Sequence, residues 1–200
     1  VLLHAQFKSN INDTTVNAKL VTLGYTFQLP LGDMADRFGP GNNLGAGFYF
    51  KLPYNLLLGV EANYLFGGNV REDTMLNYLY TDAGGLIGID GYYETVFLFE
   101  RGTAFWAKVG KIIPVVNSNP NSGLTLLAGA GFIQHRIKLS SPNSTLPNIL
   151  NDYSKGYDRL SNGFALSQYV GITHLDKRRL VNLNIGIEAM EGFTKSRRDW

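Results

Sequence analysis

The sequence predicts an all-β fold: an up-and-down antiparallel β-barrel that spans a membrane. Three observations predict it. Apolar and polar residues alternate with period two along most of the chain, the pattern of strands with unlike faces. The connectors between these stretches alternate between short and long, as in outer-membrane barrels with short periplasmic turns and long outer loops. The polar face is built of Gly, Asn, Gln and isolated charges, which suits a narrow lumen better than a water-facing surface of Lys, Glu and Thr.

Composition sets the frame. Of 200 residues, 44% are hydrophobic, 17% are charged, 23 are Gly and none is Cys. That hydrophobic content excludes a disordered chain. The absence of Cys excludes a disulfide scaffold or a Cys-ligated metal site. No apolar run approaches the ~20 residues of a membrane-spanning helix. The net charge of +2 argues against a nucleic-acid partner.

The chain opens with apolar Val1-Leu2-Leu3 and reaches Ala5-Gln6 before a polar stretch. Residues 1–6 read as the remnant of a secretory signal peptide, and 7–17 as a lead-in. The barrel domain is expected over 18–200.

The first strand, 19–29, places Val21, Leu23, Tyr25, Phe27 and Leu29 on one face, with Thr22, Gly24, Thr26 and Gln28 opposite. The second, 43–52, sets Leu44, Ala46, Phe48 and Phe50 against Gly45, Gly47, Tyr49 and Lys51. Pro53-Tyr54-Asn55 makes a tight turn, with Pro suited to its start. The third, 56–67, sets Leu58, Val60, Ala62 and Tyr64 against Gly59, Glu61 and Asn63.

The fourth strand, 92–113, is long. Phe97, Phe99, Arg101, Thr103, Phe105, Ala107 and Val109 keep one parity, and Glu100, Gly102, Trp106 and Lys108 keep the other. Unbroken parity favours one strand over a hairpin at Arg101-Gly102. The fifth, 124–138, opposes Leu126, Ala128, Ala130 and Phe132 to Thr125, Gly129, Gly131 and His135. The sixth, 163–175, is less regular. The seventh, 180–190, opposes Leu183, Ile185, Ile187 and Ala189 to Asn182, Asn184, Gly186 and Glu188. Helical turns are expected in two long loops, at 73–80 and 146–153. Residues 191–200 read as the start of an outer loop.

Bacterial single-chain barrels have even strand numbers. Seven strands therefore predict an eighth beyond Trp200. They also predict that the first and seventh strands are each unpaired on one side.

Gly45-Ala46-Gly47-Phe48 and Gly129-Ala130-Gly131-Phe132, with Gly59-Val60-Glu61-Ala62-Asn63-Tyr64 and Asn184-Ile185-Gly186-Ile187-Glu188, resemble the bacterial outer-membrane protein β-barrel domain. The likeness covers about 18–200 and rests on motifs general to that class. Loop sequences such as Arg37-Phe38-Gly39-Pro40 and 155–160 suggest a narrower likeness to small barrels of type IX secretion, the PorG and PorT kinds, although no diagnostic motif of theirs is present. The resemblance implies an outer-membrane location, a secretory signal, and a scaffold or accessory role beside envelope or secretion proteins.

Candidate site residues follow from parity. Glu61, Glu100 and Glu188 project the same way as Lys51 and Lys108, so a luminal Glu–Lys network is expected, because buried charges must pair. Its first reading is a plug that fills the barrel and fixes register. The functional rival is a gated polar pathway. Arg136, Lys138, Arg197 and Arg198, with Lys195, gather at the outer rim, where Arg and Lys suit lipid phosphates such as those of lipopolysaccharide. Lys177-Arg178-Arg179 forms a basic turn at the opposite end.

Catalysis finds no support. His135 and His174 lie at opposite ends of their strands, and neither a G-x-S-x-G nor an H-E-x-x-H motif occurs. No cofactor is expected. Two alternatives stay open: a soluble lipocalin-like carrier, with Val21, Phe48 and Ile185 facing an interior, and a narrow solute channel.

Overall fold

The greasy parity faces outward. Val21, Leu23, Val60, Phe105, Ile185 and Ile187 are exposed, while Asn43, Asn63, Lys51, Lys108, Glu100 and Thr125 are buried. An interior lined by Val21, Phe48 and Ile185 is not the arrangement adopted: Val21 and Ile185 are 77% and 66% exposed, and Phe48 is intermediate. The computed structural model describes residues 15–82, 85–115, 119–176 and 182–198. The signal-peptide reading, most of the lead-in, the basic turn at 177–179, and Leu180 and Val181 lie outside the described residues.

Among the described residues nine strands are assigned. Seven are long: β1 (Ala18–Gln28), β2 (Gly41–Lys51), β3 (Leu56–Gly67), β6 (Phe97–Pro114), β7 (Gly123–Ser140), β8 (Ser161–Leu175) and β9 (Asn182–Ser196). Two short ones, β4 (Leu86–Ile87) and β5 (Tyr93–Glu94), form a hairpin inside one long loop. The long strands make one sheet in the order β1-β2-β3-β6-β7-β8-β9. Every neighbouring pair is antiparallel. β1 and β9 are therefore its edges, each paired on one side, and they run in the same direction.

Short connections join β2 to β3 and β6 to β7, and long ones join β1 to β2, β3 to β6 and β7 to β8. The β2–β3 turn, Pro53–Asn55, holds Tyr54 and Asn55 at φ 61° and 60°. The expected helical turns form as 3-10 segments at Asp73–Leu79, Pro147–Ile149 and Asn151–Gly156. A further short helix, Asp33–Arg37, lies in the first long loop.

Two boundaries differ from the sequence reading by more than two residues. Tyr93 and Glu94 do not extend β6; they turn back to pair with Leu86 and Ile87, through a bend in which Gly91 sits at φ 81°. The reason is a contact distant in sequence: the Glu94 carboxylate is held by the 141–145 loop rather than by strand neighbours. The stretch 191–196 is strand rather than loop. It continues the β8 pairing to Ser161–Ser196, with Phe193 stacked on Phe164 at 6.4 Å. Its composition hid the strand because the outward positions Glu191 and Lys195 break the apolar alternation that Phe193 keeps.

Two apolar clusters organise the buried side. Leu65, Ala104, Trp106, Ile133 and Ala165 pack inside the sheet. Phe38, Met75, Leu76, Leu86, Ile137, Leu146 and Ile149 form a second core, drawn from the three long loops and the end of β7. The loops are thus a folded cap with its own interior.

Candidate functional site

The polar face of the sheet carries a stack of charged and amide groups. Its middle layer is centred on Lys108 of β6, whose side chain is nearly fully buried. The Lys108 ammonium donates to Glu61 Oε2 of β3 at 3.0 Å and lies 2.7 Å from Glu188 Oε1 of β9. Tyr49 of β2 donates its hydroxyl to the same Glu61 oxygen at 2.7 Å. The Tyr49 ring crosses directly over Gly59, where an added Cβ would lie 2.3 Å from the ring, so only glycine admits it. Tyr169 donates its hydroxyl to Asn184 Oδ1. One ammonium shared by two carboxylates, in a layer finished by tyrosine and amide groups, satisfies charges that would be costly alone.

Glu100 and Lys51 do not join this layer, so the single expected network divides into three. Glu100 is buried toward the long-loop end. It accepts two hydrogen bonds from Gln28 Nε2, at 2.9 and 3.0 Å, and Asn63 donates to Asn43 at 3.1 Å. Lys51 lies at the short-turn end. It donates to the Val16 carbonyl at 2.9 Å and to Asn121 Oδ1 at 2.8 Å. Asn55 donates to the Pro120 carbonyl at 2.7 Å, tying the two short connections together. The physical reason is distance along the strands: shared parity sets the face, and position along the strand sets the layer.

Above the long-loop end sits the cap. Glu94 accepts from the Ser141 hydroxyl (2.7 Å), the Asn143 backbone N–H (3.1 Å) and side-chain amide (3.0 Å), and the Thr145 hydroxyl (2.9 Å). These donors, Ser141 foremost, hold the Glu94 carboxyl down to about 2. Glu72 lies 3.1 Å from Arg159 and 3.9 Å from Arg37, and Arg37 donates to Ser161 at 3.1 Å. Burial, with Tyr78 alongside, pushes the Tyr157 hydroxyl up to about 12.

The expected rim cations separate as well. Arg198 is not free for phosphate: its guanidinium grips both oxygens of Asp158, at 2.8 and 2.6 Å, and that contact raises its pKa. Arg197 donates to Asn162 at 2.6 Å. Arg136 and Lys138 stand exposed on the outward face of β7. Arg101 of β6 faces Arg136 directly. Its outward parity was legible; its register against Arg136 was not.

His135 is buried, with Phe38 edge-on at 5.7 Å and its Nδ1 without a partner. His174 is exposed near the other end of β8. The two histidines do not share a site. Among the described residues no group of His, Asp and Glu is arranged to hold a metal ion, and no helix is long and apolar enough to cross a membrane.

The sequence reading missed Tyr49, Gln28 and Asn121 as partners of the buried charges. Tyr49 and Gln28 carry the right parity, which was the available signal; Asn121 sits in a turn and carried none. Comparison with family models, curated proteins and solved structures gives no match.

Proposed function

We propose that this chain is an integral outer-membrane β-barrel without enzymatic activity. It acts as a scaffold or docking component of the cell envelope, with its lumen filled and its outer loops folded into a cap. The observation that carries this reading is the course of the exposed apolar belt across the sheet. On β1 the belt runs from Val21 through Tyr25 to Phe27 and on to Leu29; on β9 it runs from Leu183 through Ile187 to Phe193. The residues paired in register with Tyr25 lead through Leu44, Tyr64, Thr103, Gln134 and Asn162 to Lys195. Ile187 lies eight residues before Lys195. Over six strand spacings the belt therefore slips about 26 Å along the strands against about 29 Å across them, a tilt of about 40°.

Barrel strands tilt by roughly 35–45° to their axis. A belt of constant height on strands so tilted is what a bilayer requires and what a water-facing barrel has no reason to keep. Soluble monomers rarely expose contiguous apolar patches beyond a few hundred Å². Closure by one further antiparallel strand between β1 and β9 belongs to this reading, since those two run in the same direction.

The lumen argues against a solute channel: Lys108, Glu61, Glu188 and Trp106 cross it and the cap core covers one end. An accessory role in secretion rests on the loop likeness and on the ordered cap, which offers partners a fixed surface. The test is fractionation of the native envelope followed by electrophoresis with and without boiling. Confinement to outer membranes with faster unboiled migration supports the reading. A periplasmic protein with no shift overturns it.

A further inference from the structure

The outward wall of the sheet holds a pairing that strands normally avoid. Arg101 of β6 and Arg136 of β7 are direct cross-strand partners on the same outward face. Side chains so placed have Cβ atoms about 4.5–5.5 Å apart, and like charges there repel. Lys138 follows two residues after Arg136 on that face, opposite Phe99. Three cations thus occupy adjacent outward positions. Among the described residues none of them has a carboxylate oxygen within 4 Å, although the neighbouring Glu100 carboxylate on the opposite face attracts Arg101 at longer range.

Arg101 is nevertheless held in place. Its Nη1 donates to the Glu100 carbonyl at 2.6 Å, and its guanidinium lies over the Phe99 ring at 5.0 Å. Immediately toward the apolar belt come Thr103 and Gln134, then a row of four rings in register: Phe105, Phe132, Phe164 and Phe193. The wall therefore reads, from the cap downward, as cations, hydroxyl and amide groups, then aromatic rings.

We propose that Arg101, Arg136 and Lys138 form a binding site for the phosphorylated headgroup of an outer-leaflet lipid, whose acyl chains lie along the Phe105–Phe132–Phe164–Phe193 row. The inference rests on the membrane reading above. Charge complementarity selects the headgroup: three cations with no carboxylate in ion-pair contact on their own face call for an anion bearing several acceptor oxygens, which Arg contacts bidentately and Lys as a point charge. The ring row selects a lipid over a free anion, since it supplies an apolar bed directly below the charges. This proposal gives Arg136 and Lys138 the role expected from sequence, adds Arg101, and leaves out Arg198, which Asp158 holds.

The test uses the protein reconstituted in detergent and offered bis-phosphorylated lipid A or its dephosphorylated form with the same acyl chains. Retention is read by native mass spectrometry. The site predicts at least about a tenfold preference for the phosphorylated lipid, since hydrogen bonds to charged groups exceed neutral ones in strength. The preference should fall as salt rises. It should be lost in the variant carrying Arg101→Gln, Arg136→Gln and Lys138→Gln, with the unboiled gel shift unchanged. Arg136→Gln alone should weaken it, which covers the case where the triple variant does not fold. Equal retention of both lipids by the parent protein overturns the site, as does an undiminished preference in the variants. Displacement of the lipid by millimolar inorganic phosphate overturns the lipid and leaves an anion site. Absence of the gel shift in the parent protein overturns the membrane reading and this site together.

Discussion

Lys108 and Glu188 meet at 2.7 Å although their strands, β6 and β9, are separated in the sheet by β7 and β8. In a flat sheet three strand spacings amount to about 14 Å, and both side chains would stand perpendicular to it. Contact requires the sheet to curl over its polar face. Gln28 of β1 reaching Glu100 of β6, likewise three spacings away, shows the same curl at another level. These charges are thus part of what sets the curvature, because the Lys108–Glu188 and Gln28–Glu100 contacts form only when the sheet is rolled.

That dependence predicts a large cost for breaking the middle layer. Lys108→Met leaves Glu61 and Glu188 facing each other without a cation. Removing one partner of a buried ion pair costs about 3–5 kcal/mol. The urea midpoint of unfolding should drop accordingly. Combining Lys108→Met with Glu61→Gln and Glu188→Gln should recover part of the loss, because no unpaired charge remains. A midpoint unchanged in Lys108→Met would mean that the layer does not support the fold.

The same layer predicts how Glu61→Leu behaves. Folding yield should fall, since the Tyr49 hydroxyl loses its acceptor and Lys108 keeps only one of its two carboxylates, Glu188. Conductance in planar bilayers should stay at background before and after the change, because Trp106, Lys108 and the cap core still fill the interior. Discrete openings in the parent protein would favour the channel reading instead.

Strand parity made most of the fold legible. The third strand was read to its observed limits, 56–67, because both flanking turns carry strong breakers. The long β6 was legible from unbroken parity through Arg101-Gly102. The loops were not, because their structure comes from contacts distant in sequence: Glu94 with Ser141, Asn143 and Thr145, or Phe38 with Ile137 and Leu146. Parity alone placed Glu61, Lys108 and Glu188 on one face with Glu100 and Lys51, but no sequence signal separates layers. Glu100 and Lys51 are divided by register, which follows from loop lengths and strand tilt together.

Glu94 gives the cap a defined acid sensitivity. Its folded pKa of about 2 lies below the ordinary 4.5. The unfolded cap therefore binds the proton more readily, and acid favours opening. The stabilisation is fully present above about pH 4.5 and is lost as pH falls toward 2. Amide exchange in residues 86–94 and 141–145 should accelerate across that window while the strands stay protected. Glu94→Gln should accelerate exchange at neutral pH and flatten its dependence between pH 4.5 and 2. Equal slopes in both proteins would show that another carboxylate governs the cap.

Strain at the β2–β3 turn supplies the last prediction. Tyr54 and Asn55 both have φ near 60°, the left-handed region that side chains other than Gly, Asn and Asp rarely adopt. Asn55 is compensated, since its amide donates to the Pro120 carbonyl at 2.7 Å. Tyr54 is 79% exposed, and its side chain gains little burial there. Tyr54→Gly should relieve the backbone cost and raise stability by about 0.5–1 kcal/mol, partly offset by the greater freedom of Gly in the unfolded chain. Asn55→Gly fits the same backbone but deletes the bond to the half-buried Pro120 carbonyl, so it should destabilise by about 0.5–1.5 kcal/mol. Opposite signs for these two neighbouring substitutions, read as shifts in the urea midpoint, separate backbone strain from side-chain bonding. Equal signs would mean that the turn is held by something other than these two terms.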